Sequence, residues 1–430
     1  MTEASRESKN FLNARLLLVC AVAASVSFPV AIVSIAKLAL FLSGLWMLIW
    51  SERAGSDHTT HAVNGLPLNV SRAVLLVLVT FSLSLLWTTA ESAESVGSIA
   101  KYGKLLTILL LPMLLRNRKE IRYAVVTYVL AQFFLVISSW LLFAGLPVPW
   151  ATSRSAIQEF SVFSTYLDQG IMSAVVAAVC WHLRKLAPGR FGEMGAIAIA
   201  ILCLANVLFA LNGRSGHVVS VVLLSFALMW QFRRRYRWAV VILPALFMLV
   251  LLIASPKVQT RIQMAMSEVQ EFSIERRADV VKGSSSGIRL HFWHRAIQSI
   301  AESPFFGSGV GSWSNEYNRL ELQQNPASVK IGERGNPHQE YLQWGVQLGV
   351  PGILLFLTFL TAVFRDTLRA PPAEARAAQS VLVALVVACF FNSSIYDALI
   401  GDFFCVSLGL MLALAMHPSK VSPKAQVDAL

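Results

Sequence analysis

Charge is scarce in this chain: 14% of its 430 residues are Asp, Glu, Lys or Arg, against 56% hydrophobic. No soluble class of this length fits that balance, and repeated apolar runs of membrane-spanning length mark a polytopic membrane protein. Acidic pairs are missing as well. No Asp-x-Asp occurs, the arrangement that holds a divalent ion on a nucleotide-sugar diphosphate. Cysteine is absent from every polar stretch, since Cys20, Cys180, Cys203, Cys389 and Cys405 all lie inside apolar runs. Neither a disulfide framework nor a cysteine metal site is therefore indicated. The run Gly307-Ser-Gly-Val-Gly has no strand before it and no P-loop lysine after it, so it reads as a tight turn rather than a nucleotide cradle. No small-residue cleavage site follows the first apolar run, which therefore reads as a retained helix.

What is present is a set of about twelve apolar segments, near 14–29, 30–50, 71–90, 99–115, 121–144, 161–181, 194–212, 217–232, 238–255, 348–364, 378–392 and 402–416. The net charge of +12 would suggest nucleic acid in a soluble domain, but the basic residues sit in short alternate loops. Those loops hold Arg53, the run Arg116-Asn-Arg-Lys, Arg184-Lys185, the run Arg233-Arg-Arg-Tyr-Arg, and Arg365 with Arg369 and Arg376. By the positive-inside rule they are cytoplasmic, which puts both termini inside and makes nucleic-acid binding an unneeded explanation. Trp50, Trp87, Trp150, Trp181, Trp230, Trp238 and Trp344 fall near span ends, as an aromatic belt requires. The expected fold is thus an all-α polytopic integral membrane protein. Nine spans lie in 1–254, one large helical outer loop in 255–347, three spans in 348–416 and a cytoplasmic tail in 417–430.

The outer loop is too polar to span and too long to be an idle connection. It reads as a mixed-charge helix over 257–278, a break at Gly283-Ser-Ser-Ser-Gly, and an amphipathic helix over 289–302 with Leu290, Trp293, Ile297 and Ile300 on its apolar side. The glycine-rich turn Pro304-Phe-Phe-Gly-Ser-Gly-Val-Gly follows. The stretch 336–352 then begins as a helix, with Asn336 as its cap, Pro337 at its first position and Gln339 closing a capping box. That expectation puts His338 in the first turn, where unpaired N–H groups favour an anion and keep an imidazole neutral. A base beside an anion and an interfacial histidine at a span mouth are both open readings.

Arg214 stands in the short Asn212-Gly-Arg-Ser-Gly break between two spans, where a guanidinium can either snorkel to water or grip phosphate oxygens in pairs. Arg289 opens the amphipathic helix, where a cation opposes the helix dipole, so an anionic partner accounts for it better than surface stability does. Arg154, in another outer loop, is a candidate ligand contact or a solvated charge. Asp397, in Asn392-Ser-Ser-Ile-Tyr-Asp, either holds an arginine or His338 in place or is a solvated loop acid. His291 and His294 are spaced for a metal, but no acid or cysteine is spaced to complete the site, so no metal is expected.

In order, Asn212-Gly-Arg214-Ser-Gly, Gly287-Ile-Arg289-Leu-His-Phe-Trp293, the Pro304 turn and Asn336-Pro-His338-Gln-Glu-Tyr341-Leu342 with Gly349-Val-Pro-Gly352 resemble the O-antigen ligase family. That superfamily also holds O-antigen polymerases and protein O-oligosaccharyltransferases. The likeness spans roughly residues 200 to 400; the family more often has asparagine after the histidine, where this chain has Gln339. The resemblance implies transfer of a glycan from undecaprenyl diphosphate to lipid A–core oligosaccharide, at the periplasmic face of a bacterial inner membrane, without metal or cofactor. His338, Arg214 and Arg289 would be catalytic, and Arg154, Asp397 and Gln339 would contact substrate. A transporter of lipid-linked glycan is the rival outside enzymes; it should show paired repeats and charges at mid-membrane, where Lys37 is the main exception here.

Overall fold

The computed structural model describes residues 3–54, 67–154, 156–237, 242, 246, 285–324, 326 and 335–417. The expected span at 238–255, the mixed-charge helix at 257–278 and most of the tail lie outside these residues. Every regular element among the described residues is helical. In chain order they are α1 (Glu3–Ser25), α2 (Val30–Ala54), α3 (Leu68–Leu83), α4 (Ser92–Gly103), α5 (Leu106–Leu114), α6 (Arg118–Phe143), α7 (Tyr166–Leu183), α8 (Gly189–Ala205), α9 (Arg214–Met229), α10 (Ser285–Glu302), α11 (Trp313–Gln324), α12 (Glu340–Thr367), α13 (Pro372–Ala388) and α14 (Ala398–Met416). Short 3-10 and π turns and the single turn Ala156–Glu159 complete the set.

Among the described residues, seven stretches are long and apolar enough to cross a membrane: Val30–Met47, Leu68–Leu86, Ser92–Leu114, Arg118–Phe143, Gly189–Ala210, Glu340–Thr367 and Ala398–Met416. Ala14–Ser25 and Arg214–Met229 are shorter apolar helices, and α7 and α13 occupy the expected segments at 161–181 and 378–392. Hydropathy and burial part company in an informative way. The windows in α2 and α14 have mean hydropathies of 2.0 and 2.1, yet 17% of the first is buried against 94% of the second. A helix apolar on all sides is stable in either place once lipid replaces water. Here α14 is the central post, packed on α5, α6 and α13, while α2 turns Ile32, Ile35, Leu38, Leu42 and Leu45 outward.

The bundle has two chemically distinct ends. At one, Arg118 pairs with Glu374 at 2.7 Å and Arg15 with Glu120 at 2.8 Å, and Arg376 lies 4.6 Å over the Trp230 ring. At the other stand the beginnings of α7, α9, α12 and α14, and there α10 and α11 pack on α12.

These outer helices share a small core of Phe292, Ala296, Trp313, Tyr317 and Val346. The buried side of α10 is Phe292, Arg295, Ala296 and Ser299. That corrects the expected side of Leu290, Trp293, Ile297 and Ile300, for Ile297 is 56% exposed and Trp293 and Ile300 pack only at the margin. Arg295 can be interior because Glu321, Gln324 and Gln298 accept its hydrogen bonds.

A break in α12 is what seats this outer unit. Gly349 takes φ 69° inside the helix and Pro351 follows, so the carbonyls of Val346 and Gln347 lose their intrahelical donors. The glycine turn supplies replacements: Ser308 N donates to Val346 O and Gly309 N to Gln347 O, both at 2.9 Å. Val350 N in turn donates to Pro304 O at 2.7 Å. Gly307, Gly309 and Gly311 all have positive φ, and a Cβ on Gly309 would lie 2.2 Å from Thr88 Cα.

Candidate active site

The start of α9 is pressed against the start of α7. A Cβ at Gly213 would meet the Tyr166 carbonyl at 3.2 Å, and one at Gly216 would meet Gly170 Cα at 3.0 Å. A π turn, Asn206–Ala210, delivers the chain into this contact. The first residue of α9 is Arg214, exposed at the helix end where its charge adds to the positive pole instead of offsetting it. Arg289, in the first turns of α10, lies close enough to feel both Tyr166 and Arg214. Burial holds the Arg289 guanidinium below its ordinary value; Tyr166 opposes that shift and Arg214 adds to it. Among the described residues neither arginine has a carboxylate or carbonyl hydrogen-bond partner, and Arg289 feels the charge of Arg214.

One helical turn beyond Arg289, the Phe292 ring stacks on His338 with centroids 6.2 Å apart and planes 18° from parallel. His338 is not in the first turn of α12, as the capping expectation had it. Gln339 is the cap, its Oε1 accepting from Leu342 N at 2.6 Å, and the helix begins at Glu340. The reason lies in Asn336, whose Oδ1 accepts from His338 N at 2.8 Å in a local turn and whose Nδ2 donates to Asp397 Oδ1 at 2.8 Å. That turn leaves His338 with φ 54°, a left-handed conformation costly for a residue with a Cβ.

A second asparagine makes a parallel bridge. Asn392 Oδ1 lies 3.4 Å from His338 Nδ1, and its side chain also hydrogen-bonds Asp397. Burial pushes the Asp397 carboxyl above the usual range; His338, Lys104 and the two asparagine side chains work against that shift. Below it, the fully buried Glu340 accepts from Trp344 Nε1 and Ile395 N at 2.8 Å each and from Tyr396 N at 3.2 Å, tying the 393–397 loop to α12.

Arg214, Arg289, His338 and Asp397 therefore share one end of the bundle, linked through Tyr166, Phe292 and the asparagines. Arg154 lies exposed in the loop between α6 and α7, and no hydrogen bond or ion pair joins it to them. Gln339 is engaged as a cap through its Oε1. His291 pairs with Glu321 at 2.8 Å and packs on Tyr317, so it belongs to the outer core. Among the described residues no three His, Cys, Asp or Glu side chains gather as a metal set.

Sequence reasoning missed Asn392, Phe292 and Tyr166. The first two stood inside quoted motifs, and Tyr166 stands behind the capping signal of Thr165, which accepts from Asp168 N.

Residues 198–357 match a family described as O-antigen ligase, a stretch that includes Arg214, Arg289 and His338 and stops short of Asn392 and Asp397. The chain is also 29% identical over 119 residues to an uncharacterised protein of Haemophilus influenzae, covering 27% of this chain and 29% of that protein.

Proposed function

We propose that this chain, a member of the O-antigen ligase family through residues 198–357, moves a glycan from undecaprenyl diphosphate to lipid A–core oligosaccharide at the periplasmic face of the bacterial inner membrane. One observation carries the reading: Arg289, close enough to Arg214 to feel its charge, stands one helical turn from a ring stacked on a histidine whose orientation is set by neighbouring amides.

The chemistry follows from those parts. The acceptor hydroxyl oxygen attacks the anomeric carbon from the side opposite the diphosphate, and the carbon–oxygen bond to phosphate breaks as the new one forms. The electron pair departs with the diphosphate, where Arg214 and Arg289 hold the growing charge. The hydroxyl proton passes to His338. With Nδ1 donating to Asn392, Nε2 carries the lone pair and acts as base. A single displacement inverts the anomeric centre. Asp397 positions His338 through Asn336 and Asn392.

Purified protein mixed with lipid-linked glycan and lipid A–core should give glycosylated core. His338→Ala should yield none while remaining folded, and Arg214→Ala or Arg289→Ala should slow transfer on the order of 10²–10³-fold, the usual cost of losing a group that holds developing charge. Longer lipid-linked glycan without glycosylated core would assign a polymerase. No covalent product at all would contradict the enzyme reading.

A further inference from the structure

A lateral groove of about 870 Å³ opens between α6, α7 and α8 at the end of the bundle opposite His338. Its body is apolar, walled by Val129 and Leu130 of α6, Val179 of α7 and Ile199 of α8, with Leu414 of α14 behind them. The hollow exists because α8 is stripped to small residues on this side. Gly192, Gly195 and Ala196 line it, and a Cβ on Gly195 would meet nothing within 4 Å.

The mouth is cationic. Arg118 is engaged by Glu374 and by the His417 carbonyl, but Lys119, Arg122 and Lys185 have no carboxylate partner among the described residues. No Asp or Glu lines the groove. Both α6 and α8 are long and apolar enough to span a membrane, so the groove's body lies at the depth of acyl chains and its mouth at the depth of head groups.

We propose that this groove binds a phospholipid with an anionic head group, its chains in the apolar body and its phosphate on Lys119, Arg122 and Lys185. The charge pattern selects among occupants. A soluble anion would use the rim and gain nothing from the apolar walls, and a zwitterionic lipid would bring its own cation to three others. The site is remote from Arg214 and Arg289 and does not depend on their chemistry.

Native mass spectrometry of the full chain in detergent tests this with dioleoyl phosphatidylglycerol, dioleoyl phosphatidylcholine and inorganic phosphate as probes. One phosphatidylglycerol should be retained per chain in preference to phosphatidylcholine, and excess inorganic phosphate should not displace it. The triple variant Lys119→Gln, Arg122→Gln, Lys185→Gln should lower affinity for it about a hundredfold, the loss expected of three cations at an anionic head group. Gly195→Leu should block it by filling the hollow; Ala196→Leu fills the same space should the first fail to fold. Equal retention of the two lipids, unchanged affinity in the triple variant, or displacement by inorganic phosphate would overturn the proposal.

Discussion

His338 is held from several directions at once: Phe292 stacks on its ring, Asn336 fixes its backbone and Asn392 faces its Nδ1. Both asparagines also bond Asp397, so that carboxyl bears on the histidine's pose through them as well as through its charge. Its titration has two opposite consequences. Burial raises Asp397 in the folded chain, so the folded state takes up the proton more readily than the unfolded one. The stability this brings is present at low pH and lost as pH rises through the raised value. Activity runs the other way, because only the carboxylate accepts from both amides. Beside the acid limb set by the His338 base, kcat/KM should therefore carry a contribution from Asp397 above the ordinary aspartate range, near 3.9, and Asp397→Asn should change the shape of the acid side by removing it. A limb unmoved by that substitution would remove Asp397 from the mechanism. The residue types here were legible in the sequence. Their pairing was not, because Asn336 reads locally as a helix cap and only the arrival of Asp397, 61 positions later, gives its amide another task.

At the scale of elements, the break in α12 and the glycine turn after α10 are two halves of one joint. Each supplies what the other lacks, carbonyls freed by Gly349 and Pro351 on one side and turn amides on the other. Gly309→Ala would put a methyl against the Thr88 backbone at a positive φ. It should destabilise the chain by about 1–3 kcal/mol from overpacking alone, seen as a lower unfolding midpoint and faster proteolysis of α10 and α11. Gly97→Ala, in α4 with nothing within 4 Å of its Cβ, should be neutral or gain up to about 1 kcal/mol. Equal effects of the two would refute the joint. Sequence patterning found the turn, but Gly349 and Pro351 stood there only as part of a family motif, so neither the break nor its link to the turn was legible. It also misjudged α10, since periodicity weighs Ile297 as core and Arg295 as surface, whereas Glu321 makes the arginine a core residue.

At the scale of the molecule, hydropathy was enough to read a helical membrane bundle, because apolar length is a direct consequence of bilayer thickness. What it left unexplained was Lys37 in mid-span. The structure gives it Asp402 at 2.7 and 2.8 Å, with Lys104 nearby donating to the Asp397 carbonyl at 2.5 Å. This cross-link ties α2 to the central α14 directly beneath the 393–397 loop. Lys37→Met alone takes from the buried Asp402 its ion-pair partner and should cost up to about 3–5 kcal/mol, less as Lys104 compensates, while Lys37→Met with Asp402→Leu should cost clearly less. Chemical unfolding in detergent would show whether the double variant recovers stability. The account as a whole rests on Arg214, Arg289 and His338 surrounding one lipid-borne diphosphate. Cryo-electron microscopy of the protein with its lipid-linked glycan donor tests that most directly: both guanidinium groups should lie within hydrogen-bond distance of the diphosphate, with His338 Nε2 turned toward the acceptor side. A diphosphate resting elsewhere, touching neither arginine, would contradict it.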